Sequence, residues 1–256
     1  MFYVKKQITG DYLFDPTGDQ GAPREEDHLA IIMEVMGRHA GWVAAAAGLA
    51  SESEGAPPHI ILFPEITFNP EVFYEKVHAT IAEQGFCVIA VSEGIKNDAG
   101  KFLSDTGISD AFGHRQLGGV APMLSDLLSR LHGYKCHWAV PDYLQRSCRH
   151  LASKVDLEQA YAIGEAAVKM AVAGENSVMA SIIRTNSSPY EWSIGQVKLE
   201  DVANKEKKLP AEFIAKDGFH ITEKAREYLL PLIQGEAYAR FENGLPDYRT
   251  LNNQLV

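Results

Sequence analysis

The stretch MEVMGRHAGW (residues 33–42) ends a strand-like run abruptly and starts a helix almost at once. Upstream, AIIMEV at 30–35 is apolar apart from one glutamate; downstream, GWVAAAAGLAS at 41–51 is built of small residues. A short continuous apolar run suits a strand covered on both faces, as in a parallel sheet, and the small-residue run suits a helix. Met36-Gly37-Arg38 lies between them. Glycine lets the backbone come close to a ligand. The free amides at a helix start favour an anion, and the arginine adds a planar, bidentate cation. Strand–glycine–helix turns are common, however, and an arginine on one is solvated more often than not.

Outward from this turn the same alternation recurs. We read further strands at 59–63, 86–92, 134–140 and 177–184, and helices at 70–84, 119–131 and 156–173. The last helix has apolar residues at helical spacing, an acidic first turn, and Gly174 as its stop. Strands alternating with helices predict an α/β architecture, in which ligands gather beyond the carboxyl ends of the strands. Residues 96–119 are rich in Gly, Asp and Ser and read as a long loop or exposed hairpin. Residues 205–218 form a polar linker before a short helix at 222–233, which Pro231 kinks or ends. The first 28 residues are polar and turn-rich, without a core pattern, and read as a poorly anchored leader.

The composition excludes several classes of function. The 256 residues are 46% hydrophobic and carry 24 basic against 34 acidic side chains, a net charge of −10. With no basic run, non-specific nucleic-acid binding is not expected. No apolar stretch nears the ~20 residues that span a bilayer. The three cysteines, Cys87, Cys136 and Cys148, lack a C-x-x-C spacing and read as reduced thiols of a cytoplasmic protein.

Two more strand ends carry chemistry. VIAVSEG places Glu93 at the end of an apolar strand, where a carboxylate can accept hydrogen bonds from sugar hydroxyls; an exposed loop acid is the competing reading. After KCHWAV and the turn Pro141-Asp142 comes Tyr143-Leu144-Gln145-Arg146. Its Tyr and Arg, at i and i+3, can face one pocket, the arginine binding phosphate and the tyrosine offering a hydroxyl. A solvated basic loop, with Arg149 and His150, is the alternative there. Together the three strand ends describe a pocket for a phosphorylated, hydroxyl-rich molecule such as a sugar phosphate.

At these residues the chain resembles the phosphofructokinase family. EVMGRHAGW, PEITF (64–68), VSEG and DYLQRS stand in the family's order, and the likeness runs from about residue 30 to the C-terminus, through SKVDLEQAYAIGEAAVKMAVAG. YLQRS and GLPDY (244–248) resemble the pyrophosphate-dependent branch, since ATP-dependent bacterial members usually read HIQRGG at the former block. By that resemblance Met36, Gly37 and Arg38 bind fructose 6-phosphate, with Arg38 also facing the transferring phosphoryl group. Glu93 holds sugar hydroxyls, and Tyr143 and Arg146 hold the sugar and its 6-phosphate. The implied reaction is phosphoryl transfer to the sugar 1-hydroxyl, from pyrophosphate or ATP, with Mg2+, in a cytoplasmic homo-oligomer.

The sequence also departs from the family. It contains neither the GGD-type phosphate loop nor the TIDND-type segment whose aspartate accepts the hydroxyl proton. Where some ATP-dependent relatives offer phosphate-binding arginines, Leu29 and His137 stand here. The resemblance implies parallel-sheet, three-layer α/β domains of the phosphofructokinase type, laid out in four stretches: an atypical leader (1–29), a sugar-phosphate-binding domain (30–144), a returning part of the donor-binding domain (145–229) and a tail (230–256). The N-terminal half of the family fold is missing, so helix 156–173 is expected to have little covering its apolar face. The alternative to an incomplete phosphotransferase is a non-catalytic sugar-phosphate-binding or regulatory subunit.

Overall fold

The computed structural model describes residues 29–109, 115–117 and 119–247. The leader at 1–28, the middle of the 96–119 loop and the end of GLPDY lie outside them. The first half runs β1 (Leu29–Val35), α1 (Trp42–Ala47), β2 (Ile60–Leu62), α2 (Pro70–Gln84), β3 (Phe86–Ser92), β4 (Asp105–Ser109), β5 (Arg115–Leu117), α3 (Val120–His132) and β6 (Lys135–Ala139). Then come α4 (Leu144–Ser147), α5 (Lys154–Val172), β7 (Val178–Ser187), β8 (Tyr190–Lys198), α6 (Leu199–Val202), α7 (Glu223–Leu229), β9 (Phe241–Glu242) and β10 (Leu245–Pro246).

Strands β2, β3, β1 and β6 form one parallel sheet in that order. Side chains alternate along each strand, so the apolar runs feed two separate cores. Ile31, Met33, Val35, Ile61, Phe63, Val88 and Ala90 pack on one face with Ala44, Ala45, Leu49, Phe213, Ala225 and Leu229. Ala30, Ile32, Ile60, Leu62, Cys87, Ile89 and Val91 pack on the other with α2 and α3, through Phe73, Val77, Ile81, Val120, Leu124 and Leu128. The central strands are therefore covered on both sides, which is why their sequence is apolar throughout. The three layers are the expected α/β architecture.

Local signals set the helix ends. Asn69 caps α2 by accepting from the amides of Glu71 and Val72 at 3.0 and 3.2 Å, Pro70 opens it, and Gly85 closes it in the left-handed region. Ser153 and Thr222 cap α5 and α7 in the same way. As Pro231 implied, α7 stops at Leu229 and a 3-10 turn follows.

Two expectations need correction. The 177–184 strand is not part of the parallel sheet. It is half of an antiparallel pair, β7–β8, whose second strand (YEWSIGQVK) is absent from the sequence reading. The Ser188-Pro189 turn brings the chain straight back, so the run pairs with its own neighbour rather than crossing over. The 134–140 strand, read as buried on both faces, is the edge strand β6, and Trp138 is half exposed. Within 96–119, β4 and β5 pair antiparallel, the hairpin side of the two readings. None of the 19 residues of α5 is buried, in keeping with an uncovered apolar face.

Candidate functional site

Topology brings the three strand ends together. β1 lies between β3 and β6 and runs parallel to both, with Val35 opposite Ser92 and Met33 opposite Ala139. The residues that follow each strand, Met36-Gly37-Arg38, Glu93-Gly94 and Pro141 to Arg146, therefore emerge on one edge of the sheet.

Hydrogen bonds tie these segments to one another. The Met36 amide donates to Gln145 Oε1 at 3.1 Å, and the Gly37 amide donates to Glu93 Oε1 at 3.2 Å. Ser92 Oγ donates to the Gly37 carbonyl at 2.5 Å and accepts from the Gly94 amide at 3.3 Å. Gly37 has φ +148°, and a Cβ there would meet the Ala40 carbonyl oxygen at 2.8 Å. Glycine is thus required for the turn itself. Gly94 is required for a second reason, because any Cβ on it would collide with the Arg38 backbone.

Side chains hold three of the amides around this turn: Met36 is held by Gln145, Gly37 by Glu93, and Gly41 by Glu65, whose Oε1 accepts at 2.9 Å. Amides at the end of a strand have run out of ladder partners and must find other acceptors. Glu93 retains capacity for a ligand, since a carboxylate accepts about four hydrogen bonds. Arg38 is half-buried at the turn. Tyr143, at the N-cap of α4, and Arg146, within it, are both exposed, with the Arg146 guanidinium carbon 5.5 Å from the Tyr143 ring centroid. All six expected residues, Met36, Gly37, Arg38, Glu93, Tyr143 and Arg146, thus belong to one edge.

Four supporting residues were not anticipated: Gln145, Ser92, Glu34 and Glu65. Glu34 is the charge inside the apolar run AIIMEV, and that interruption was the available signal. It is buried, and its Oε2 accepts from the Ala121 amide at 2.9 Å, capping α3, which has no side-chain cap from its own leading residues. Burial pushes the Glu34 carboxyl above the usual range; the Ala121 and Val120 amides oppose that shift, and the Glu93 and Asp142 charges add to it. Glu65 joins Gly41 to the linker by also accepting from the Leu209 amide at 2.9 Å. Among the described residues no three His, Cys, Asp or Glu side chains gather to hold a metal ion.

The fold is a three-layer α/β sheet with a polar, arginine-bearing edge at the strand carboxyl ends, the usual ligand position of an open parallel sheet. The Phosphofructokinase family profile matches residues 24–171, and the chain belongs to that family. It is 55% identical over 225 residues to the pyrophosphate–fructose 6-phosphate 1-phosphotransferase of Halomonas elongata, and 54% identical to that of Methylococcus capsulatus, covering 88% of this chain in each case. The crystal structure of a pyrophosphate-dependent phosphofructokinase from Marinobacter aquaeolei superimposes with a TM-score of 0.78 at 49% identity, over 91% of this chain and 55% of that one. The chain spans about half the length of the curated relatives it matches, 54% for each of the two named. Among the described residues no helix is long and apolar enough to cross a membrane.

Proposed function

We propose that this chain carries the fructose 6-phosphate side of a phosphotransferase that phosphorylates the sugar at its 1-position, with pyrophosphate as donor. The observation that carries this reading is the convergence of Met36-Gly37-Arg38, Glu93, Tyr143 and Arg146 on one sheet edge, tied together through the Met36 and Gly37 amides. In this assignment Arg146 meets the 6-phosphate with a planar guanidinium fork, and Tyr143 adds a hydroxyl. Glu93 accepts from sugar hydroxyls, and the Met36-Gly37 backbone lies along the sugar. Arg38 faces the phosphoryl group in transfer, whose charge is spread over its equatorial oxygens; in such reactions positioning and charge stabilisation carry most of the catalysis. The names of the similar proteins and the DYLQRS block favour pyrophosphate over ATP. Mg2+ belongs to the assignment as an ion held chiefly by substrate phosphates and water.

Calorimetric titration with fructose 6-phosphate tests the assignment. Wild type binds, while Arg38→Ala and Arg146→Ala each bind ~10- to 100-fold more weakly, the loss of one or two charge-assisted bonds. Equal heats for all three proteins would remove the site.

A further inference from the structure

Gln145 stands between the two residues assigned to phosphate, Tyr143 and Arg146, on the one-turn helix α4. Its side chain does not follow theirs outward. It is half-buried and reaches back across 109 positions of sequence to accept the Met36 amide at 3.1 Å. β6 stops pairing with β1 at Ala139, so the Gln145 carboxamide takes the place of the next strand carbonyl and extends the ladder by one bond. Within α4 the Gln145 amide donates to the Asp142 carbonyl and the Arg146 amide to the Tyr143 carbonyl, at 3.1 and 2.9 Å. A shift of the turn that carries Arg146 is therefore a shift of the Gln145 backbone. Through one side chain it bears on Met36, two residues before Arg38. On the other side Glu93 fixes the very next amide.

We propose that Gln145 is a positioning residue that couples the two ends of the site, so that filling the Arg146 end orders the Met36-Gly37-Arg38 turn. This rests on the fructose 6-phosphate assignment above. Coupling between two ends of a site is reciprocal and is measured as non-additivity. With the full 256-residue chain, fructose 6-phosphate affinity is measured for wild type, Arg38→Ala, Arg146→Ala and the double variant, then again with Gln145→Met throughout. Methionine keeps the length of the side chain and removes the acceptor. With Gln145 in place the two arginine substitutions depart from additivity by ~5-fold, within the range for residues linked through a shared partner. In the Gln145→Met background they add. A purely structural Gln145 would lower all affinities together and leave the departure unchanged, which overturns the proposal. Gln145→Glu keeps an acceptor oxygen and is expected to retain the coupling; Gln145→Leu, which also lacks the acceptor, takes the place of Gln145→Met if that variant fails to fold. A wild-type chain that gives no heat with fructose 6-phosphate sinks both the assignment and this inference. Wild-type binding with coupling indifferent to Gln145 sinks the inference alone.

Discussion

Gly94→Ala is the sharpest test of how the site is built. A methyl group on Gly94 would lie 2.7 Å from Arg38 Cα and closer still to the Arg38 carbonyl, where 3.4 to 4 Å is ordinary contact. Both partners are backbone, so no side chain can swing aside, and the Arg38 turn has to move by about an ångström. Overpacking of this kind costs ~1–3 kcal/mol of stability. The same displacement misaligns the Arg38 fork, whose charge-assisted bonds are worth ~1.5–3 kcal/mol. Fructose 6-phosphate affinity should therefore fall ~10- to 100-fold. Gly85→Ala is the control: Gly85 sits in the left-handed region at φ +81° with nothing within 4 Å of an added Cβ, far from the strand ends. Alanine there strains the helix end by ~1–2 kcal/mol without touching Arg38. Thermal melting and titration calorimetry on both variants separate the two effects. Equal affinities for Gly94→Ala and wild type would refute the placement of Arg38 against Gly94, and an affinity loss in Gly85→Ala would show that any destabilisation suffices.

Two further outcomes follow from buried titratable groups. Burial holds the Glu34 carboxyl above its unfolded value, so the folded chain binds this proton more tightly, and stability falls as pH rises from about 4.3 through the folded pKa. Glutamine at position 34 keeps an acceptor for the Ala121 amide and removes the titration. Urea midpoints of Glu34→Gln should match wild type near pH 4 and exceed it increasingly toward neutral, and a gap that instead widens on acidification would reverse the sign argued here. Glu34→Ala leaves the amide unpaired and costs ~1–3 kcal/mol throughout. Cys87 is fully buried, and burial drives its thiol well above the usual range, so mass spectrometry after alkylation should find Cys87 unmodified until the chain unfolds.

The sheet was legible in the sequence where burial on two faces forces apolar character on every position. AIIMEV and FCVIAVS read as strands because each feeds two cores at once, with Ile31 and Met33 to one side and Ala30 and Ile32 to the other. The order of strands was not legible, because neighbours in a parallel sheet are set by crossovers rather than by local pattern. The same blindness put residues 177–184 into the wrong sheet: a hairpin strand and a crossover strand look alike over eight residues, and only the alternation in YEWSIGQVK and the Ser188-Pro189 turn distinguish them. The six candidate residues stand just beyond the apolar runs, at 36–38, 93 and 143–146, and the parallel sheet brings those ends to one edge.

What holds those residues in place was mostly hidden, and the reason is physical. Amides of a strand that outruns its neighbours need acceptors, but the acceptor can come from any segment that topology delivers to the same edge. Met36 finds Gln145 and Gly37 finds Glu93, 109 and 56 residues away. Neither bond leaves a mark at the donor, since an amide carries no side-chain signature. Glu34 is the exception, because a carboxylate inside a buried strand advertises that some donor must lie against it. It caps α3 from beneath the turn that presents Arg38, and Glu65 pins Gly41 from the other side. The arginine at the centre is therefore placed by side-chain acceptors from three other segments, and its precision depends on residues that themselves need never touch a ligand.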